Sequence, residues 1–304
     1  MKPVLSLVIP VYNERGAVAE TARQVLAELA TWGEPTEVIL VNDGSTDGTG
    51  DILKTLEGVR VIEHLHNKGY GAALKTGIRA AKGAYVAITD SDLTYPIGRL
   101  KDLLAEARRG QAMVVGSRTG TDVNIPLLRR FPKWVLTKLA SYLAGRNIPD
   151  LNSGFRVFDR RALLPHLALM PNGFSFTTTI TLVMLTRDEE VAYVSVNYLK
   201  REGQSKIRPI KDTLLFFQLV VRTVTLFQPL KVFMPLFLLT ELAASLVFYV
   251  FYHWGPSWGM KVPDASIAIM AMTGVMFFTI GVLADLVSRR MMHLHELISH
   301  DLRE

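Results

Sequence analysis

Between residues 4 and 116 short apolar runs alternate with stretches of helical spacing, and that order leaves few folds open. Val4 to Val11 is an apolar run ended by Tyr12-Asn13-Glu14, and Glu37 to Val41 is another, ended by Asn42-Asp43-Gly44-Ser45. Val59 to Glu63 and Tyr85 to Thr89 read as further strands, and Met113 to Gly116 closes the series. Helical spacing fills the intervals at Ala17 to Leu29, Asp47 to Leu56, Gly71 to Ala81 and Gly98 to Arg109. Strands alternating with helices of this length predict an α/β fold whose mostly parallel sheet carries helices on both faces. Ligands of such sheets sit beyond the carboxyl ends of the strands. The polar clusters Tyr12-Asn13-Glu14, Asn42-Asp43, Asn67-Lys68 and Asp90-Ser91-Asp92 all fall at those ends, so separate segments should converge on one site.

Asp90-Ser91-Asp92 carries the chemistry. Two carboxylates one residue apart at a strand end can hold a hard divalent cation, Mg²⁺ or Mn²⁺, which in turn holds phosphate oxygens. Acidic turns are common on protein surfaces, so the pair gains its meaning from its place in the strand series.

Composition removes other classes. None of the 304 residues is cysteine, which excludes disulfides, zinc thiolate sites and thiol nucleophiles. The net charge of +6 is dispersed and no nucleic-acid recognition motif appears; a basic face beside an anionic membrane is the simpler expectation. Met1-Lys2-Pro3 runs directly into a β-like segment rather than a signal-peptide core, so residues 1–206 are expected to be a cytoplasmic catalytic domain.

The pattern loosens after Arg118. Leu127 to Leu143 reads as a helix with Arg129, Arg130, Lys133 and Lys138, and Val191 to Leu199 as a strand. Residues 207–230 alternate Arg208, Lys211, Asp212 and Arg222 with Ile210, Leu214, Leu215, Phe217 and Leu219, an amphipathic helix suited to a bilayer surface. Within residues 231–290, Val232 to Tyr252 and Ala265 to Ser288 are each long enough to cross a hydrocarbon core, which takes about 20 residues. The joining segment has a single basic residue, Lys261, whereas Arg289 and Arg290 follow the second span. The positive-inside rule then puts both termini, including the tail 291–304, in the cytoplasm and the hairpin tip outside. Glu241 would lie about 13 Å into the first span at 1.5 Å per residue. An acid at that depth should face protein or water rather than lipid. Gly274 and Gly281 put small residues on one face of the second span, where helices can approach closely. A homo-oligomer, with a tetramer among the possibilities, and Glu241 at a helix–helix contact is the expectation.

Two motif look-alikes fail. Asp43-Gly44-Ser45-Thr46-Asp47-Gly48 imitates a calcium loop but has Lys54 where a bidentate Glu is needed. Gly69-Tyr70-Gly71 imitates a dinucleotide fingerprint, but Leu74 replaces the third glycine. His64 and His66 read as loop residues and not as metal ligands.

Val8-Ile9-Pro10-Val11-Tyr12-Asn13-Glu14, Val41-Asn42-Asp43-Gly44-Ser45-Thr46-Asp47, Asn67-Lys68-Gly69 and Asp90-Ser91-Asp92 resemble the successive signatures of family 2 glycosyltransferases with the GT-A fold. Gly116-Ser117-Arg118, the run Asp150 to Arg156 and the run Arg201 to Ile207 narrow the likeness to polyprenyl-phosphate glycosyltransferases, the group of dolichyl-phosphate mannose synthase. The resemblance covers roughly residues 4 to 230, and bacterial members commonly carry a two-helix anchor.

It implies an inverting transfer of a hexose, glucose or mannose, from a UDP- or GDP-linked nucleotide sugar to a polyprenyl phosphate. Pro10, Tyr12, Glu14 and Asp43 would line the nucleoside pocket, with Lys68, Gly69 and Ser91 also on the donor side. Asp90 and Asp92 would hold the metal against the diphosphate. Arg118, Arg129, Lys133, Arg201 and Ser205 would face the acceptor phosphate, the arginines as forked donors. Asp90, Asp92 and Arg118 are the candidate catalytic residues, while Asp150 is expected to orient the Ser153-Gly154-Phe155 loop. Thr94 and Lys133 depart from the family's usual residues, which opens the support of the metal or sugar at Thr94. A phosphate monoester has a second pKa near 6 and is already an anionic nucleophile, which fits the absence of an obvious base pair. A processive polysaccharide synthase would need a Gln-x-x-Arg-Trp segment and more spans; a non-catalytic scaffold would have no use for both Asp90 and Asp92.

Overall fold

A computed structural model describes residues 2–119, 137–142, 144–173, 175–198 and 228–301, with short pieces at 217–218, 221–222 and 224–225. The predicted basic segment 127–136 and nearly all of the amphipathic helix 207–230 lie outside the described residues. The chain divides into two compact units, Met1–Val220 and Val221–Glu304.

The first unit is built on seven strands: β1 (Leu5–Val11), β2 (Thr36–Asn42), β3 (Arg60–Glu63), β4 (Tyr85–Ile88), β5 (Met113–Ser117), β6 (Arg156–Asp159) and β7 (Val191–Ser195). They lie in the order β3-β2-β1-β4-β6-β5-β7. All neighbours pair in parallel except β6, which runs antiparallel to both β4 and β5. Every residue of β1 is buried, which explains a run that is apolar apart from Ser6. Four helices connect the first strands: α1 (Val18–Ala30), α2 (Thr49–Lys54), α3 (Tyr70–Ala80) and α4 (Leu100–Ala107). α1 presents Val18, Ala22, Val25 and Leu29 to the core, a spacing of three and four residues. α3 lies close to the sheet because Gly77 has no side chain; a Cβ there would fall on Val8.

β1 pairs with β2 on one side and β4 on the other, so chain order reverses there. Open α/β sheets bind their ligands at such a switch point, and the predicted site clusters follow the carboxyl ends of β1, β2, β3 and β4. Three elements were not foreseen: β6, the short α5 (Arg160–Leu163) and α6 (Phe176–Thr186). α6 is buried on every side over Phe176 to Leu185 and shows no amphipathic stripe.

The second unit holds α7 (Leu230–His253) and α8 (Asp264–Asp301). Leu230–His253 and Asp264–Met291 are both long and apolar enough to cross a membrane. Leu238, Leu239, Leu242 and Leu246 on α7 and Met272, Val275 and Met276 on α8 are all exposed, unlike the core helix of a water-soluble protein. The two small residues predicted as a contact face receive α7 itself. A Cβ on Gly281 would stand 2.8 Å from the Cβ of Phe233, and one on Gly274 would fall on the Glu241 carboxylate. Glu241 is thus at a helix–helix contact between two helices of the same chain.

Candidate active site

The loops after β1 and β2 are welded together by side chains capping backbone groups. Asn13 N–H donates to Ser45 Oγ at 3.0 Å, Thr46 N–H to Asn13 Oδ1 at 2.8 Å, and Glu14 N–H to Thr49 Oγ1 at 3.1 Å. The calcium-loop look-alike is therefore an internal network: Asp47 Oδ1 accepts from Thr49 N–H at 3.0 Å. Pro10 is buried in β1, and half-exposed Tyr12 with Glu14 follows directly.

Asp43 is buried and takes backbone N–H groups from the next loop, Lys68 at 2.9 Å and Gly69 at 2.8 Å. Lys68 and Gly69 thus enter the site through their backbone, and the Lys68 side chain is exposed. Gly69 and Gly71 are needed for a reason other than a dinucleotide. A Cβ on Gly69 would lie 2.5 Å from the Asn172 carbonyl oxygen, and Ala72 N–H donates to that oxygen at 3.0 Å. The first turn of α3 is capped by residues 171–173.

Asp90 follows β4 and accepts from the Tyr70 hydroxyl at 3.0 Å. Burial, and then the charge of Asp90, push the Tyr70 phenol well above its ordinary value, so it keeps its proton and donates. Gly154 closes the other side, where a Cβ would stand 2.7 Å from Asp90 Oδ2. Thr94, the departure noted in the sequence, donates from its hydroxyl to Asp92 Oδ1 at 2.6 Å and braces it. Leu93 between them has φ +60°, an uncommon backbone state for a branched residue. Ser91 is buried, and its carbonyl accepts from Thr21 of α1 at 2.9 Å, which pins the loop to the scaffold. Among the described residues no group of three or more His, Cys, Asp or Glu could hold a metal. Asp90 and Asp92 still fit Mg²⁺ or Mn²⁺, hard ions that keep waters and phosphate oxygens as their remaining ligands.

Arg118, after β5, is held side-on by buried Asp150: Nε to Oδ2 at 2.7 Å and Nη2 to Oδ1 at 2.8 Å. The fork that the sequence pattern offered to a phosphate is turned toward Asp150, and Nη1 is the nitrogen outside that pairing. Burial alone would lower the Arg118 pKa, but the Asp150 carboxylate outweighs it and the value is raised. Asp150 also accepts from Asn152 N–H at 3.2 Å, so it shapes the turn that leads to Gly154.

Tyr95 joins the metal loop to this turn. Its oxygen accepts from Gly154 N–H at 2.8 Å, and its ring stacks on Phe155 at 5.4 Å and meets Tyr198 edge-on at 5.3 Å. The Arg118 guanidinium lies 5.2 Å over that same Tyr198 ring. Beneath them Arg156, fully buried, donates to Ser153 O at 2.8 Å, Leu151 O at 2.9 Å and Thr181 Oγ1 at 2.6 Å. The sequence reading gave no site role to Tyr70, Tyr95 or Arg156, although Arg156 ends the run Asp150 to Arg156 that narrowed the resemblance. Tyr70→Phe is expected to lower kcat about tenfold or more with the fold retained, the weight of one hydrogen bond to a charged group. Arg129, Lys133, Arg201 and Ser205 lie outside the described residues.

The model of Glycosyl transferase family 2 matches residues 6–165. A low-salt glycan biosynthesis hexosyltransferase of Haloferax volcanii is 32% identical over 218 residues, 69% of this chain and 51% of that protein. A dolichyl-phosphate hexose transferase of the same organism is 32% identical over 207 residues, 67% of this chain and 87% of that protein. Klebsiella pneumoniae undecaprenyl-phosphate 4-deoxy-4-formamido-L-arabinose transferase is 27% identical over 294 residues, 94% of this chain and 88% of that protein. Among solved structures, glucosyl-3-phosphoglycerate synthase from Mycobacterium tuberculosis, in complex with Mn²⁺, UDP-glucose and phosphoglyceric acid, superposes with a TM-score of 0.56. It is 22% identical and covers 73% of this chain and 78% of that one. The fold is GT-A-like, and the chain belongs to glycosyl transferase family 2.

Proposed function

We propose that this protein transfers a hexose from a nucleotide sugar to a polyprenyl phosphate at the cytoplasmic face of a membrane. The observation that carries this reading is the meeting of two loops. The carboxylate of Asp90 lies directly against Gly154, in the same turn that Asp150 and Arg118 organise. A donor diphosphate beside Asp90 and an acceptor phosphate near Arg118 would then be neighbours. The names of the relatives support a polyprenyl-phosphate acceptor, and the exposed apolar hairpin supports a membrane location. Arg289 and Arg290, at the carboxyl end of the second candidate span, support cytoplasmic termini.

Pro10, Tyr12, Glu14 and Asp43 would hold the nucleoside, with Lys68, Gly69 and Ser91 completing the donor side. Asp90 and Asp92 would hold Mg²⁺ or Mn²⁺, which neutralises charge on the departing nucleoside diphosphate. Arg118 would draw the acceptor phosphate into line, with Arg129, Lys133, Arg201 and Ser205 assigned to the same phosphate. One phosphate oxygen attacks the anomeric carbon, the bond to the diphosphate oxygen breaks, and its electron pair leaves with the diphosphate. Attack opposite the leaving group inverts the centre. No proton need leave the acceptor at neutral pH, so positioning and electrostatics carry the rate.

Two results test this reading. Activity should fall as pH drops through about 6, where the acceptor phosphate takes up its second proton. A steep dependence centred well above pH 7 would point to a protein base instead. Arg118→Ala should raise the KM for polyprenyl phosphate about tenfold or more and that for nucleotide sugar much less. Equal effects would assign Arg118 to the donor or the fold.

A further inference from the structure

Behind Asp43 lies a histidine that the reaction above does not use. His64 follows β3, and its backbone N–H donates to the Asn42 carbonyl at 2.9 Å. It is not a solvent-facing loop residue: its side chain is 6% exposed and that of Asp43 3%. Nδ1 stands 2.7 Å from Asp43 Oδ1, and Nε2 stands 2.9 Å from Thr76 Oγ1 on α3.

The protons on this chain follow from its acceptors. The Asp43 carboxylate already receives two backbone N–H groups, at 2.9 Å and 2.8 Å, so it acts as an acceptor. Nδ1 therefore carries the hydrogen toward Asp43, and Nε2 pairs with the Thr76 hydroxyl. A histidine held at both nitrogens cannot rotate, and the carboxylate it grips cannot rotate either. Oδ1 is filled by His64 and Lys68, whereas Oδ2 receives only Gly69 among these partners and keeps one acceptor position. The surrounding turn has no slack, since a Cβ on Gly44 would stand 2.5 Å from the His66 carbonyl carbon.

We propose that His64 is a positioning residue for donor recognition: it fixes Asp43 so that Oδ2 presents its remaining lone pair to an N–H of the donor nucleobase. Uracil and guanine both offer such an N–H beside a carbonyl, so the device selects a class of base rather than one base. This inference rests on the donor reading above.

The test is equilibrium binding of UDP and of GDP, each with Mn²⁺, to the full-length protein in detergent. His64→Asn keeps an N–H close to the place of Nδ1 and loses the Thr76 contact, while His64→Leu keeps bulk and loses both. The expected result is a Kd within about threefold of wild type for His64→Asn and at least about tenfold weaker for His64→Leu, the weight of one charge-assisted hydrogen bond. Thr76→Val should fall between them, and the KM for polyprenyl phosphate should not move in any variant. Wild-type affinity in His64→Leu would overturn the proposal. Equal losses in His64→Asn and His64→Leu would also overturn it, because the ring's bulk and not its N–H would then matter. Binding of neither nucleotide to the wild type would remove the donor reading and this inference with it.

Discussion

Asp92→Ala is expected to lower sugar transfer by at least about 10³-fold, the rate equivalent of roughly 4 kcal/mol of lost charge stabilisation. The fold should hardly notice. Asp92 accepts from Thr94, from its N–H at 3.3 Å and from its hydroxyl at 2.6 Å. Both lie within one turn, and losing them costs about 1–3 kcal/mol. Membrane insertion and the melting transition should therefore persist in the inactive variant. EDTA should inactivate the wild type to the same degree, with Mn²⁺ or Mg²⁺ restoring it. More than about a tenth of wild-type activity in the variant, or full activity in chelator, would contradict the role given to Asp92.

Gly154→Ala should be nearly as damaging, although it adds one methyl group. That methyl would stand 2.7 Å from Asp90 Oδ2 and 2.9 Å from Oδ1, too close for either to stay. Gly154 has no positive φ, so the backbone accepts alanine and the conflict is purely steric. The turn cannot retreat either. Ser153 Oγ donates to Gly116 O at 2.6 Å, and Arg156 holds Ser153 O from below. Asp90 must yield, and a displacement near 1 Å at a reacting centre costs about a hundredfold in rate. Overpacking should also cost about 1–3 kcal/mol of stability. Gly16→Ala, where the added Cβ meets nothing within 4 Å, is the matched control and should keep its activity. Comparable kcat in the two variants would mean that Asp90 does not need its place against Gly154.

The parts legible in the sequence share a local cause. β1, β2 and β4 are buried runs that end abruptly at polar residues, so both the strand and the site at its end are visible within about ten residues. α6 gave no such signal. Its stretch Phe176 to Leu185 is buried all round, and Thr177, Thr178, Thr179 and Thr181 give it the β-branched composition of a strand. β6 is four residues long and runs against its neighbours, so no βα alternation announces it. At the site, residue types were readable but partnerships were not. Arg118 and Asp150 are 32 positions apart, and His64 and Asp43 are 21 apart. Spacing alone could not show that the arginine fork is turned to a carboxylate or that a histidine in a polar loop is buried. Glu241 was expected at a helix–helix contact of a homo-oligomer; within one chain it packs against Gly274 of the second span, a contact set by the hairpin's own packing.

The most direct measurement is the fate of the sugar. Membranes containing the protein would be incubated with labelled UDP- and GDP-sugars, Mn²⁺ and a short polyprenyl phosphate, and label would be followed into organic-soluble lipid. The account predicts one labelled polyprenyl-phosphate sugar with inverted anomeric configuration. It should require both the lipid phosphate and the divalent ion and be lost in Asp92→Ala. Label accumulating in a polymer, equal transfer to the dephosphorylated polyprenol, or no transfer from any donor would contradict it.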